Sequence, residues 1–439
     1  MRARHLGPIL GAALALGLVA AEASAETLEQ ALAELLADNP RIRAARENVV
    51  AQTEGQREAF SAYYPTLALA SDAGWEYTNS PTRRSADQDP LSTDRESATL
   101  TLSETIWDGN RREALYDISK LNKNVADLSL NVTLQDLLFE AIVAYHEVIR
   151  NVRLIDIALA DEASLQQQLQ LEDERVTRGS GITVDVLQAK SRLQQAKERR
   201  VAFEGRLREA MARYTEIYNK EPAVADLVEP VPPVAMLPED VEAATSIAIS
   251  DSPVLAVSDR SIDIAAQERA VARSEFFPTL ELIGRANYEN NVDGVSGDRD
   301  DYAVLVQVTW ELFSGFRTTA ASARTAATHR QRMDERTETA RKIAEETQLA
   351  WEALQTARQR VELLQNAVNI AEEVYNARER LREAGRETSL NVLDSLSELR
   401  TAQINFVNAS FDARVSVYRL LRAIGHLHPH NMGLTVAQE

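Results

Sequence analysis

Residues 61–70 read SAYYPTLALA and residues 274–283 read SEFFPTLELI. Each stretch has two aromatics, then Pro-Thr-Leu, then alternating apolar positions, and the two lie 213 positions apart. That separation is far longer than a solenoid repeat and marks a duplicated half. The match continues on both sides, with Pro40 and Pro253, and Trp75-Glu76 and Tyr288-Glu289, at the same offset. IWDGNR (106–111) then pairs with LFSGFR (312–317), and from here the offset is 206, kept by Gly179 and Gly385 and by Val186-Leu187 and Val392-Leu393. The difference of seven falls between Glu289 and Leu312, which predicts a loop there.

Between each aromatic-Pro pair and each Gly lie two runs of period two. Leu67, Leu69, Ala73, Trp75 and Tyr77 alternate with small or polar residues, as do Ala98, Leu100 and Leu102 after a polar stretch. The second half repeats this with Leu280, Leu282, Ala286 and Tyr288, then Tyr302, Val304, Val306, Val308, Trp310 and Leu312. The alternation predicts four strands, at about 66–77, 97–106, 279–288 and 302–312, each close to the length that crosses a membrane in a β-barrel. The segments joining them, 78–94 and 290–300, are rich in turn formers.

The rest reads as helix. Ile118, Val125, Val132 and Phe139 recur every seven residues, as do Leu354, Val361, Val368 and Tyr375, so coiled-coil packing is expected. No breaker interrupts 110–178 or 316–384, and each of these helices would be roughly 100 Å long. Helices over 28–62, 183–219, 241–276 and 389–424 are about half as long, so two end to end match one long helix. Five prolines within 221–240 make that segment an extended, nonhelical strap.

Composition narrows the function. The chain has 439 residues and no cysteine, which excludes disulfides, thiolate metal sites and cysteine nucleophiles. Its net charge of -19 argues against a nucleic-acid partner. Residues 1–25 carry a basic start, an apolar core and Ala23-Ser24-Ala25, the form of an export signal cut before Glu26. No phosphate loop, HExxH or GxSxG motif is present, so no enzyme and no cofactor is expected. Four strands cannot close a barrel, and an open edge cannot sit in lipid. If these strands enter a membrane the chain must oligomerise, and three copies would give twelve strands, wide enough to be hollow.

The duplicated halves, the aromatic-Pro-Thr-Leu entries, the WDGNR and LFSGFR exits, and the paired segments RGSGITVDVLQAKSRLQQA and EAGRETSLNVLDSLSELRTAQ together resemble the TolC-like outer-membrane efflux protein family, over nearly the whole mature sequence. The resemblance implies a mainly α fold with a small β part. Each chain would give four strands to a trimeric twelve-stranded transmembrane β-barrel, continuous with an α-barrel tunnel of long coiled-coil helices. It divides the chain into a signal peptide (1–25), a first repeat (26–220), an equatorial linker (221–240), a second repeat (241–425) and a tail (426–439). It also implies a homotrimer in outer-membrane lipid, serving as the exit duct of a tripartite efflux or type I secretion system. A periplasmic adaptor and an inner-membrane transporter would dock at its inner end. A soluble periplasmic coiled-coil scaffold or adaptor protein is the alternative for the same helices.

By this resemblance Asp185 and Asp394 ring the narrowest part of the pore; as plain helix chemistry, both are first-turn carboxylates favoured by the helix dipole. Arg178, Gly179, Gly181, Gly385 and Arg386 form the turns where an adaptor would dock, or simply reverse the chain. Trp75, Tyr77, Trp107, Tyr288, Tyr302 and Trp310 bracket the strands as an interfacial belt or as ordinary packing. The family often has Tyr three residues before the turn Gly, where this chain has Val176 and Arg382, and Asn391 stands where an acidic residue is common. His426, His428 and His430 alternate near the C-terminus, but no thiol or carboxylate cluster accompanies them as a metal site would favour.

Overall fold

The structure is a computed structural model that describes residues 26–434. The export-signal reading of 1–25 and the last five residues of the tail lie outside the described residues. The elements run α1 (Leu28–Asp38), α2 (Pro40–Ser61), β1 (Thr66–Thr78), α3 (Pro81–Ser85), β2 (Leu91–Trp107), α4 (Arg111–Thr177) and α5 (Thr183–Tyr218). After a single 3-10 turn at Val234–Met236 come α6 (Val241–Asp251), α7 (Pro253–Ser274), β3 (Thr279–Asn290), β4 (Asp298–Thr309), α8 (Arg317–Glu383) and α9 (Ser389–Ala423).

The duplication is visible in the hairpins themselves. Thr66 pairs with Ser103 in the first and Thr279 with Thr309 in the second, so the entry strands are offset by 213 and the exit strands by 206. The seven-residue difference is therefore absorbed in the second hairpin's loop, as the alignment of the halves requires. The four strands form one antiparallel sheet in the order β1-β2-β3-β4, which leaves β1 and β4 as its two edges.

The helices depart from expectation at two places. The helices read through 28–62 and 241–276 are each broken in two, at Asn39-Pro40 and at Ser252-Pro253. A residue before proline is pushed out of the helical region. Asn39 and Ser252 are extended, with ψ of 128° and 118°, and each caps the next helix by accepting from a backbone N–H. Proline then occupies the first helical position, where its missing N–H costs nothing. The strands differ at their ends: β2 starts at Leu91 rather than 97, and β4 stops at Thr309 rather than 312. A short helix, α3, stands in the first polar loop, capped by Ser80.

Both long helices have 67 residues, or roughly 100 Å at 1.5 Å per residue. α4 packs on α2 and α7 toward the sheet and on α5 and α9 farther away, while α8 packs on α6, α7 and α9. The largest apolar core lies level with the middle of α4, where Leu138, Ile142 and Tyr145 meet α1, the end of α5, α6 and the end of α9. The strap crosses here: the Tyr145 hydroxyl lies 2.8 Å from the carbonyl oxygens of both Glu26 and Val228. Among the described residues no helix is long and apolar enough to cross a membrane.

Candidate functional site

The end of the molecule away from the sheet is built from two equivalent turns. At the end of α4 the N–H groups of Gly179 and Ser180 donate to the carbonyls of Val176 (2.9 Å) and Arg175 (3.0 Å). At the end of α8 those of Gly385 and Arg386 donate to Arg382 (2.9 Å) and Leu381 (2.8 Å). This double closure needs a left-handed residue, which Gly179 (φ +75°) and Gly385 (φ +69°) supply without a Cβ clash. At Gly181 the reason is proximity, since a Cβ there would stand 2.9 Å from the Val176 nitrogen. Arg178 and Arg386 are exposed on these turns, with Arg178 3.3 Å from Glu174.

The two candidate carboxylates have different settings. Asp185 is half-buried in the first turn of α5, where the dipole favours it. Asp394 is not in a first turn, contrary to the helix-dipole alternative: α9 begins at Ser389 and its first turn holds no acidic residue. Its direction is set by packing, because Val392, Leu393, Ser395 and Leu396 are all buried and leave Asp394 as the outward position between them. Its carboxylate is half exposed and pairs at 2.5 Å with Arg192 of α5, tying the second hairpin to the first.

Behind the turns the seam of α4 becomes polar. Leu154, Ala158, Asp161, Leu165, Gln168 and Glu172 are all buried, at alternating spacings of four and three, the spacing of a coiled-coil core. Asp161 lies 3.6 Å from Arg199 and 3.8 Å from Arg400, and burial pushes its carboxyl above the usual range despite these two cations. Arg382 reaches across from α8. It donates to Gln168 and, at 2.8 Å, to Glu172, whose carboxylate also accepts from Ser389 at 2.6 Å. The Arg382 and Glu172 side chains are only 7% and 3% exposed, so this is a buried ion pair joining both hairpins.

Arg192, Arg382 and Glu172 were not among the sequence candidates. The signal available for the last was the run of polar residues holding heptad spacing where apolar ones belong.

The aromatics fall at two levels. Trp75, Tyr77, Tyr288 and Tyr302 lie toward the loop ends of the strands, while Trp107 and Trp310 lie at the helix ends. Trp107 packs edge-on to Phe277, and the Trp310 indole donates to the Phe276 carbonyl at 3.1 Å. From Tyr302 to Trp310 is roughly 27 Å along the strand, comparable with the apolar band of a barrel. The face between these levels is exposed and apolar, with Leu69 71% and Val304 78% exposed.

The three histidines do not converge. His426 lies 3.0 Å from Asp251 and His428 3.1 Å from the Gln135 amide, while His430 is exposed. Among the described residues no group of three or more metal-ligating side chains occurs.

The family described as outer membrane efflux protein matches residues 15–219 and 244–426. The chain is 24% identical to the outer membrane efflux protein BepC of Brucella suis, over 95% of this chain and 89% of that one. It is 24% identical to the outer membrane protein TolC of Vibrio cholerae, over 97% and 98%. A third relative at 24%, over 92% and 85%, is the alkaline protease secretion protein AprF of Pseudomonas aeruginosa. Among solved structures, the outer membrane protein VceC of Vibrio cholerae superposes with a TM-score of 0.78 at 18% identity, covering 91% of this chain and 96% of that one. At that identity the likeness speaks to the fold.

Proposed function

The chain belongs to the outer membrane efflux protein family, and from that premise we propose that three copies form a hollow barrel in the outer membrane, continuous with a helical tunnel through the periplasm. The protein is an outer-membrane exit duct for efflux or secretion and not an enzyme. One observation carries the oligomeric reading, the number three resting on the family: a four-stranded sheet with an apolar face between two aromatic levels, open at both edges, grows directly into helices roughly 100 Å long. Such edges cannot face lipid unpaired, so other copies must close them.

In this assembly the Gly turns form the inner mouth. Asp394 and Asp185 project toward the axis there, and three copies of each select cations electrostatically. The Arg192 partner holds Asp394 in place and offsets part of its charge in the conformation described. The buried Arg382–Glu172 pair keeps the two hairpins of each chain together at the mouth. Arg178, Gly179, Gly181, Gly385 and Arg386 present the docking surface for a periplasmic adaptor, which couples the duct to an inner-membrane transporter. That transporter supplies the energy, and the chain's own residues supply a path and a gate.

Carbonate extraction of isolated membranes tests the reading. Retention in the membrane fraction supports a barrel; release into the supernatant would leave the periplasmic scaffold as the better account.

A further inference from the structure

The proposed barrel needs β4 of one copy to meet β1 of the next, and the internal duplication specifies how. Within one chain, β2 of the first half already pairs with β3 of the second. β4 is the duplicate of β2, displaced by 206, and β1 is the duplicate of β3, displaced by 213. A β4–β1 contact between copies is therefore the same contact made a second time. Ala98 is opposite Tyr288 in the existing ladder; moved forward by 206 and back by 213 respectively, these become Val304 and Trp75. Glu96 and Asn290 become Tyr302 and Tyr77 by the same step.

We infer that the free edge of β4 pairs antiparallel with β1 of a second copy of this chain in the register that places Val304 opposite Trp75 and Tyr302 opposite Tyr77. This rests on the trimeric-barrel reading and adds the register to it.

Three observations favour it. The parity is right: Tyr302, Val304, Val306 and Val308 share one face of β4, and they meet Tyr77, Trp75, Ala73 and Ser71, on the face of β1 that carries Leu67 and Leu69. A slip of one residue would turn the apolar face of one copy against the polar face of the next. The shapes agree as well. Leu305, on the other face and 48% exposed, comes opposite Gly74, where a Cβ would find nothing within 4 Å. Lastly, β4 ends at Thr309 because β3 offers no partner beyond Thr279, and Leu312 and Phe313, just past that end, are exposed. The existing ladder takes a bulge between Thr105 and Trp107, where Trp107 reaches Leu280. Repeated between copies, it brings Phe313 opposite Leu67 and extends the strand past its present end.

Because the chain has no cysteine, engineered thiols report the register alone. Directly opposed residues have Cα atoms about 5 Å apart, within disulfide reach, whereas residues two places out of register are roughly 8 Å apart and beyond it. Full-length protein carrying Val304→Cys with Trp75→Cys is purified in mild detergent, sized by light scattering, oxidised, and run boiled without reductant. The expected result is a covalent trimer that reductant dissolves, with less than about a fifth of that yield from Val304→Cys paired with Ala73→Cys or with Tyr77→Cys. Tyr302→Cys with Tyr77→Cys gives an independent second site should loss of Trp75 impair assembly. A trimer that crosslinks preferentially at an offset pair, or at neither predicted pair, overturns the register while leaving the barrel standing. A chain that is monomeric before oxidation overturns both.

Discussion

Replacing Arg382 with Met keeps most of the aliphatic stem and removes the donors that reach Gln168 and Glu172. Glu172, only 3% exposed, is then left with the Ser389 hydroxyl at 2.6 Å and Arg175 at 3.6 Å. Removing one partner of a buried ion pair costs about 3–5 kcal/mol, because the other charge stays desolvated. The two remaining partners put this case at the lower end, about 3 kcal/mol per chain. Replacing both residues, Arg382→Met with Glu172→Met, removes charge and counter-charge together and should return to within about 1.5 kcal/mol of the parent. The pair lies at the turn end of two long helices, so the loss is local. Hydrogen exchange in the turn-proximal ends of α4 and α8 should accelerate roughly 150-fold in the single variant, as about 3 kcal/mol implies, with no change near Tyr145. Exchange equally fast in the single and double variants, or unchanged in the single, would refute the view of Glu172 as a charge dependent on Arg382.

Asp394→Ala should abolish tight block of the open channel by divalent or trivalent cations in bilayer recordings, with Asp185→Ala weakening it less. Arg192→Ala, by freeing the Asp394 carboxylate, should deepen the block, and a shallower block would show that Asp394 does not face the ion path. An epitope inserted between Ser85 and Pro90, just after α3, should label intact cells, and labelling only after permeabilisation would invert the assigned topology. Burial lowers the His146 imidazole from its ordinary value to about 4. The unfolded chain therefore binds a proton that the fold refuses, and stability is full above pH 6.5 and lost as pH falls toward 4, by about 3 kcal/mol per chain. The imidazole Nε2 has no hydrogen-bond partner, so His146→Leu should flatten the fall in melting temperature over that range. An equal fall in parent and variant would place the acid sensitivity elsewhere.

The duplication made most of the architecture legible. One repeated Pro-Thr-Leu stretch located two strand entries, and the change of offset from 213 to 206 located a loop whose shortening the hairpin registers reproduce. Pro40 and Pro253 were visible as repeat markers, but their effect on the helices was not read from them. A proline at a first helical position looks the same in sequence as one inside a continuous helix, and the capping Asn39 and Ser252 decide between the two. The turn end was legible as far as the backbone requires glycine, at Gly179 and Gly385. Its side-chain partners were not, because Arg382 and Glu172 are 210 residues apart and Arg192 and Asp394 are 202 apart. The contact is set by how two hairpins lie against each other, and no local pattern encodes that. A polar run at heptad spacing announces a buried polar seam without naming what fills it.

In the assembly proposed above, copies of this chain enclose a continuous aqueous path. Planar-bilayer recording of the purified, detergent-solubilised protein tests it most directly. Discrete, uniform conductance steps that favour cations over anions are expected; a lipid bilayer that incorporates the protein and stays electrically silent would rule such a path out.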